Sequence, residues 1–382
     1  MKNRNRKSPH VHVIDGAWIK DIIMKKLKKD VGKLKGFFHE IGSAIRFYQR
    51  KFIKAGIILL VSFLIILLLN IISDSIAANV PDQTSCFVWG GEDYAQISCY
   101  TSRINGFTVD ELMRFEHDLN QTLKSSGEEN EASLWTDAYS GRGVLTVTNR
   151  NTSVEGTAYG VGNNFFVFHP LQLLNGSYID TKNVMKDYIL LDEEAAWRLF
   201  GSSDVAGMYV YINGEPHVVS GVYRRPEGRL NTASGNGEIT FYISYEALMK
   251  YNRNAAITSY EVIMENPVKQ YAYNYVKNYF QPDDSMQENA AAFADEVNRE
   301  IKIIENSDRY SIKNKWEILK NFGIYSMKLD EIIYPFWENI AAAYGSIVAL
   351  LFFVQILGGI VIFLCAAGML VRIHRFRKRK IE

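Results

Sequence analysis

Residues 184–223 read VMKDYILLDEEAAWRLFGSSDVAGMYVYINGEPHVVSGVY, the pattern of a strand, a helix and a hairpin. Residues 188–191 form a short apolar run, and Asp192 follows as a residue type that caps helices. Glu193 and Glu194 then place negative charge at the positive end of the helix dipole. Ala195, Ala196, Leu199 and Phe200 give the helix one apolar face, and Gly201 is placed to end it. Residues 208–212 and 217–222 are β-type runs, and Asn213 with Gly214 between them suits the tight turn of a two-residue hairpin.

The flanking sequence has the same mixed character. Residues 107–126 predict a helix: Thr108 caps it, Glu111 is the reciprocal partner three residues on, and Leu112, Phe115, Leu119 and Leu123 share a face. Strands are expected at 133–139, 143–149 and 153–161, then at 239–244 and 259–264, with a helix starting near Ser244. Residues 268–280 and 290–305 read as helices. The segment RRPEGRLNTASGNGE, 224–238, has little that is apolar and reads as a mobile loop. This is an α+β arrangement, in which the region around 184–223 is an inserted second lobe.

Two uncharged runs fix where this domain sits. Residues 55–72, AGIILLVSFLIILLLNII, make a helix of about 27 Å, close to the hydrocarbon thickness of a bilayer. Residues 341–371 carry no charge and make about 46 Å of helix, more than a bilayer core needs, so part stands clear of the lipid or tilts. Residues 1–54 carry a net +11 and residues 372–382 a net +5, which places both ends in the cytoplasm by the positive-inside rule. The whole chain is +1, so the part between them carries −15, and residues 75–340 are expected outside. The first run reads as a retained signal anchor.

Upstream of it, Ile23, Leu27, Val31, Leu34, Phe38, Ile41 and Ile45 recur at helical spacing among lysines. A basic amphipathic helix of this kind suits the inner membrane surface or a partner's groove, while its spacing also fits a short coiled coil. Residues 313–344 read as a helical stalk leading into the second run, where Ala341, Gly345 and Ala349 form a small-residue stripe. Such a stripe lets another helix approach closely, either the first span or a second copy, and is also ordinary composition for a membrane helix. Cys86 and Cys99 flank CFVWGGEDYAQISC, two β-like runs around a turn. Facing each other across a hairpin they could form a disulfide adding about 3 kcal/mol; two buried thiols are the other reading.

The chemistry of an enzyme is missing from the pattern. The sequence has no GxxxxGK[ST], GxSxG, HExxH or paired CxxC motif, and His117, His169 and His217 are scattered. His10 and His12 lack acidic or thiol companions for a metal. No catalytic residue, cofactor or metal is expected, and Asp192, Glu193 and Glu194 are accounted for by the helix dipole. Basic segments that flank membrane runs, with an acidic part between, disfavour nucleic acid as a partner. Asn120, Asn151 and Asn175 begin glycosylation sequons, meaningful only in a host that glycosylates exported asparagine.

Read together, VEGTAYGVGNNFFVFHPLQLLNGSYID (154–180), YILLDEEAAWRLFG (188–201) and VAGMYVYINGEPHVVSGVY (205–223) resemble the periplasmic core domain of MacB-like and FtsX-like ABC transporter permeases. Gly156, Gly176, Phe200, Gly201, Gly207, Asn213, Gly214 and Gly221 carry the resemblance, which spans roughly residues 107–280. It implies a two-lobed extracytoplasmic α+β domain carried between membrane helices, passing on the movements of a cytoplasmic ATPase. The family's four spans are not all present in this sequence, so a complete permease is not expected. The organisation that results is a basic segment 1–54, a span 55–73, a core domain 79–312 with its second lobe about 165–238, a stalk 313–340, a span 341–371 and a basic tail 372–382. The implied role is a non-enzymatic permease-like or accessory subunit that pairs with an ABC ATPase and a fuller permease, as a homo- or hetero-oligomer. The alternative is a free-standing sensing, adhesion or scaffold protein that reuses the domain without an ATPase.

Overall fold

The computed structural model describes residues 31, 35, 38–39, 41–42, 49–78, 80–125, 134–150, 152–281, 299–322, 332 and 334–381. The amphipathic helix expected before residue 49 lies outside them except at scattered positions, as do His10 and His12. The chain divides into two compact units, one made of 1–69 with 354–382 and the other of 70–353.

Two long helices, α1 (Gln49–Ala78) and a C-terminal helix (Phe336–Ile381), are long and apolar enough to cross a membrane. Large apolar side chains along both, such as Leu60, Leu64, Phe353 and Leu364, are exposed, as lipid-facing residues are. In the first unit a Cβ on Gly358 would lie 3.2 Å from Ile66, so the two helices pack closely there.

After α1 come α2 (Ser85–Trp89), β1 (Tyr94–Thr101), α3 (Val109–Ser125), β2 (Trp135–Asn149), β3 (Thr152–Asn163) and α4 (Phe165–Phe168). Then follow β4 (Gln172–Gly176), β5 (Tyr188–Asp192), α5 (Glu193–Phe200), β6 (Tyr209–Ile212) and β7 (Glu215–Arg224). The domain is completed by β8 (Thr240–Ser244), α6 (Tyr245–Tyr251), β9 (Ile257–Glu265), α7 (Tyr271–Phe280), β10 (Ile301–Glu305) and α8 (Ile312–Lys320), and α9 is Phe336–Ile381. Among the described residues the strands form one ten-stranded sheet in the order β10-β1-β9-β2-β3-β8-β5-β7-β4, with β6 paired to β2 and β7. Most pairs are antiparallel; β3 with β8 and β5 with β7 are parallel.

The local signals of 184–223 are realised in full. Asp192 caps α5 by accepting from the Ala195 N–H at 2.6 Å, and its other oxygen accepts from the Thr240 N–H at 2.9 Å. Glu193 and Glu194 also pair with Arg224 and Arg225. Asn213 and Gly214 have φ of 50° and 85°, the left-handed pair that a two-residue hairpin requires. Between β4 and β7 the backbones nearly touch, since a Cβ on Gly221 would lie 2.6 Å from the Asn175 carbonyl oxygen. Thr108 and Glu111 exchange reciprocal hydrogen bonds at the head of α3, and Ser244 caps α6.

Four expectations are corrected. The two strands foreseen at 133–139 and 143–149 are one, β2, because Gly141 and Gly143 let it run on where a Cβ would strike Ala256 and Asn252. Residues 301–305 are strand β10, not the end of a helix, because Ile301 and Ile303 face the core and alternate with exposed Lys302 beside β1. The loop 224–238 is ordered over 229–236 by helical turns, with Ser234 and Asn236 buried and the Ser234 carbonyl accepting from Asn339 at 3.2 Å. Cys86 and Cys99 are free thiols, both buried, and face different clusters of the core. Residues 85–89 wind into α2 because the Gly90 and Gly91 N–H groups both bond the Cys86 carbonyl, so no hairpin faces Cys86 toward Cys99.

Candidate functional site

The site lies where the chain leaves α1 and where it enters α9, both in the second unit. Asp82 follows α1 in a short helical turn, and His169 ends α4 with its N–H on the Phe165 carbonyl. Helix α4 is held at the end of β3 by Asn164, whose N–H bonds the Asp137 carbonyl and whose amide donates to Thr136 at 2.8 Å. The His169 ring is thereby delivered into the core. Its Nδ1 lies 2.6 Å from Asp82 Oδ1, and its Nε2 meets Glu261 of β9. Trp337 covers the ring at 4.3 Å and Phe165 at 4.6 Å.

From Glu261 the contacts continue without a break. Ser98 of β1 donates to Glu261, Asn306 donates to Ser98 at 2.6 Å, and Arg309 donates to Asn306 at 3.2 Å. Arg309 also donates to Gln83 at 2.8 Å and grips both oxygens of Glu338, one at 2.8 Å. Glu338 is in the first turn of α9, and Tyr100 of β1 reaches it at 3.4 Å. His169, Glu261, Asn306, Arg309 and Glu338 are all buried. The network therefore ties the turn after α1, strands β1 and β9, helix α4 and the head of α9 into one set.

Its electrostatics follow from this geometry. Burial alone disfavours a charged imidazole at His169, but the Glu261 and Asp82 carboxylates outweigh it and push the pKa up to about 9. Two cations then face three carboxylates, of which Glu261 and Glu338 are buried and Asp82 stands at the partly exposed edge. A metal does not fit here: the two His169 nitrogens point at different carboxylates on opposite sides of the ring, so these groups do not converge on one point. Among the described residues no cluster of three or more His, Cys, Asp or Glu could hold a metal ion.

The head of α9 explains the length of the second apolar run. Trp337, Ala341, Val348 and Ala349 are buried, Trp337 in a core cluster of the domain, and exposure begins at Leu350. Residues 350–371 are left, about 33 Å of helix, which matches a bilayer core. At Gly345 of the small-residue stripe the neighbour is Ile318 of α8, 3.4 Å from where a Cβ would stand, rather than the first span. Ala341 and Ala349 on the same stripe are fully buried. Of the glycines that carried the resemblance, Gly156 sits against the Ile239 carbonyl and Gly176 against the Ser220 carbonyl. Gly201 ends α5, while Gly207 precedes β6 and bonds Val219. Phe200 packs on the cluster between α5 and the sheet. These residues frame the sheet; none belongs to the buried network.

Residues 55–295, well over half of the chain, match the family model of the MacB-like periplasmic core domain. The chain belongs to that family. Among curated proteins it is 31% identical over 96 residues to the macrolide export ATP-binding/permease protein MacB of Neisseria gonorrhoeae, and equally to that of Neisseria meningitidis serogroup B. The aligned stretch is 25% of this chain and 14% of either relative, so it spans about a seventh of their length. Among solved structures, the extracellular domain of the noncanonic ABC-type transporter YknZ from Gram-positive bacteria aligns with 55% of this chain and 99% of its own, at 15% identity and a TM-score of 0.36. The periplasmic region of MacB from Actinobacillus actinomycetemcomitans aligns with 60% of this chain and 95% of its own, at 16% identity and a TM-score of 0.38. Two apolar helices flanking a MacB-like periplasmic domain fit a membrane protein with an extracytoplasmic domain.

Sequence reasoning passed over the network. His169 reads as one of three scattered histidines, and its partners Asp82, Glu261, Arg309 and Glu338 lie up to 256 residues apart. The available signal was Glu338 itself, a lone carboxylate at the head of a long apolar helix, which has to be paired if buried.

Proposed function

We propose that this chain is a non-enzymatic, permease-like or accessory subunit of an ABC-type, MacB/FtsX-like assembly, in which the domain between the two helices passes conformational change to the membrane or binds a ligand or partner outside it. Both termini are cytoplasmic in this reading, and residues 165–238 form the second of two lobes. The observation that supports it best is the run of contacts from the partly exposed Asp82 through buried His169, Glu261, Ser98 and Asn306 to buried Arg309 and Glu338. Close-packed interiors have low compressibility and transmit strain, so in this reading a tilt of α9 is handed to β1 and β9 instead of being absorbed at a flexible joint. The partners in this reading are a cytoplasmic ATPase and a fuller permease subunit.

Purification of the chain from its native membranes in mild detergent tests this directly. Co-elution of an ATPase or a second permease subunit is the expected result. A stable homo-oligomer free of both would overturn it in favour of a free-standing sensing or scaffold protein.

A further inference from the structure

Helix α8 presents two unlike faces. Its inner face is fixed to both membrane helices: Ile318 is buried and meets Gly345 of α9, and Lys315 Nζ lies 3.3 Å from Ser73 Oγ of α1. Ser73 directly follows the apolar run that ends at Ile72, and Gly345 lies five residues before Leu350, where α9 becomes exposed. The helix therefore sits at the level where each long helix leaves its lipid-facing stretch. Its outer face carries Ile312, 73% exposed, and Trp316, 46% exposed, with exposed Phe322 just beyond its end. At about 100° per residue, Ile312, Trp316, Lys320 and Lys313 fall within one arc of the helix, opposite Ile318. Lys320 lies over the Trp316 ring at 5.7 Å.

We propose that α8 is an interfacial helix, lying in the headgroup layer of the bilayer leaflet on the domain's side, with Ile312 and Trp316 at the acyl boundary and Lys313 and Lys320 on anionic headgroups. Continuity with the two membrane helices argues for lipid as the occupant of this face. Charge argues the same way. Residues 312–320 carry three lysines against Glu317, a basic island inside a part of the chain that is −15 overall. Tryptophan and lysine side by side are what the interface selects, since the ring is amphipathic and the long cation reaches phosphate. A helix held there fixes the height of the domain above the membrane, so a tilt of α9 at Gly345 moves α8 against the headgroups. The proposal rests on α1 and α9 being membrane helices and not on an ABC-type assembly.

The test uses the full chain with Cys365→Ser, since Cys86 and Cys99 are buried, and a single cysteine in place of Ile312, Trp316 or the exposed Val184. Each is labelled with an environment-sensitive fluorophore and reconstituted in phosphatidylcholine vesicles, with or without phosphatidylglycerol, that carry a nitroxide near the top of the acyl chain. At 312 and 316 the expected result is a blue-shifted emission and at least about twofold more nitroxide quenching than at 184. Phosphatidylglycerol should deepen the shift at 316, and Lys313→Glu with Lys320→Glu should abolish that increment. Quenching at 312 and 316 no greater than at 184 overturns the proposal, whether the labels are in water or shielded by protein. A phosphatidylglycerol response that survives the double charge reversal overturns the role given to the lysines.

Discussion

The Arg309 guanidinium grips both carboxylate oxygens of Glu338 at the head of α9, with each side chain buried. Breaking a buried pair from one side leaves a charge with neither water nor partner, which costs about 3–5 kcal/mol. Arg309→Met and Glu338→Gln should each lower stability by roughly that amount in chemical denaturation of the detergent-solubilised chain. The double replacement Arg309→Met with Glu338→Leu should recover part of the loss, because an apolar pair leaves no unpaired charge, although Gln83, Asn306 and Tyr100 each still lose a hydrogen bond. Additive losses in the double variant would show that the two do not act as a pair.

His169 gives the network a pH dependence with a definite sign. Its pKa stands at about 9 in the folded chain against 6.5 for the free side chain, because the Glu261 and Asp82 carboxylates outweigh the cost of burial. The stabilisation is fully present below pH 6.5 and is lost as pH rises through 9, a span on the order of 3 kcal/mol. Thermal unfolding across this window should show the midpoint of the wild-type chain falling faster than that of His169→Gln. Parallel curves would mean that His169 is neutral in the folded protein.

Much of the frame was legible in the sequence and the network was not, for a physical reason. Helix caps and hairpin turns are decided by residues within four positions of each other. The Asp192 cap, the Thr108 and Glu111 pair and the Asn213–Gly214 turn could therefore be read directly. The two apolar runs were equally plain, and the excess length of the second found its explanation in the buried head of α9. Where tertiary contacts decide, local reading failed. Residues 85–89 look β-like yet wind into α2, anchored by Ser85 to the Phe168 carbonyl 83 residues away. The network joins segments from Asp82 to Glu338, and no periodicity in the sequence marks that meeting.

The two thiols near α1 should stay free even in an oxidising compartment. Burial pushes the Cys86 thiol up to about 11 and raises Cys99 further, so neither forms the thiolate that disulfide exchange needs. Alkylation of the denatured, unreduced chain followed by mass spectrometry should find all three cysteines modified. A Cys86–Cys99 cross-linked peptide would contradict this.

Topology is open to a labelling experiment. With both termini cytoplasmic, a membrane-impermeant thiol reagent on intact cells should modify a cysteine placed at Glu227, in the loop after β7, and not one placed at Lys378. The reverse pattern would turn the protein over in the membrane.

The buried network should hold the head of α9 rigidly to the domain. Spin labels at Val88, on the exposed side of α2, and at Leu350, where α9 emerges, measure this in the Cys365→Ser background. Pulsed dipolar spectroscopy should give one narrow distance distribution in the otherwise wild-type chain and a clearly broadened one with Arg309→Met, the circular dichroism of the sheet being unchanged. Distributions of equal width in the two proteins would contradict the account.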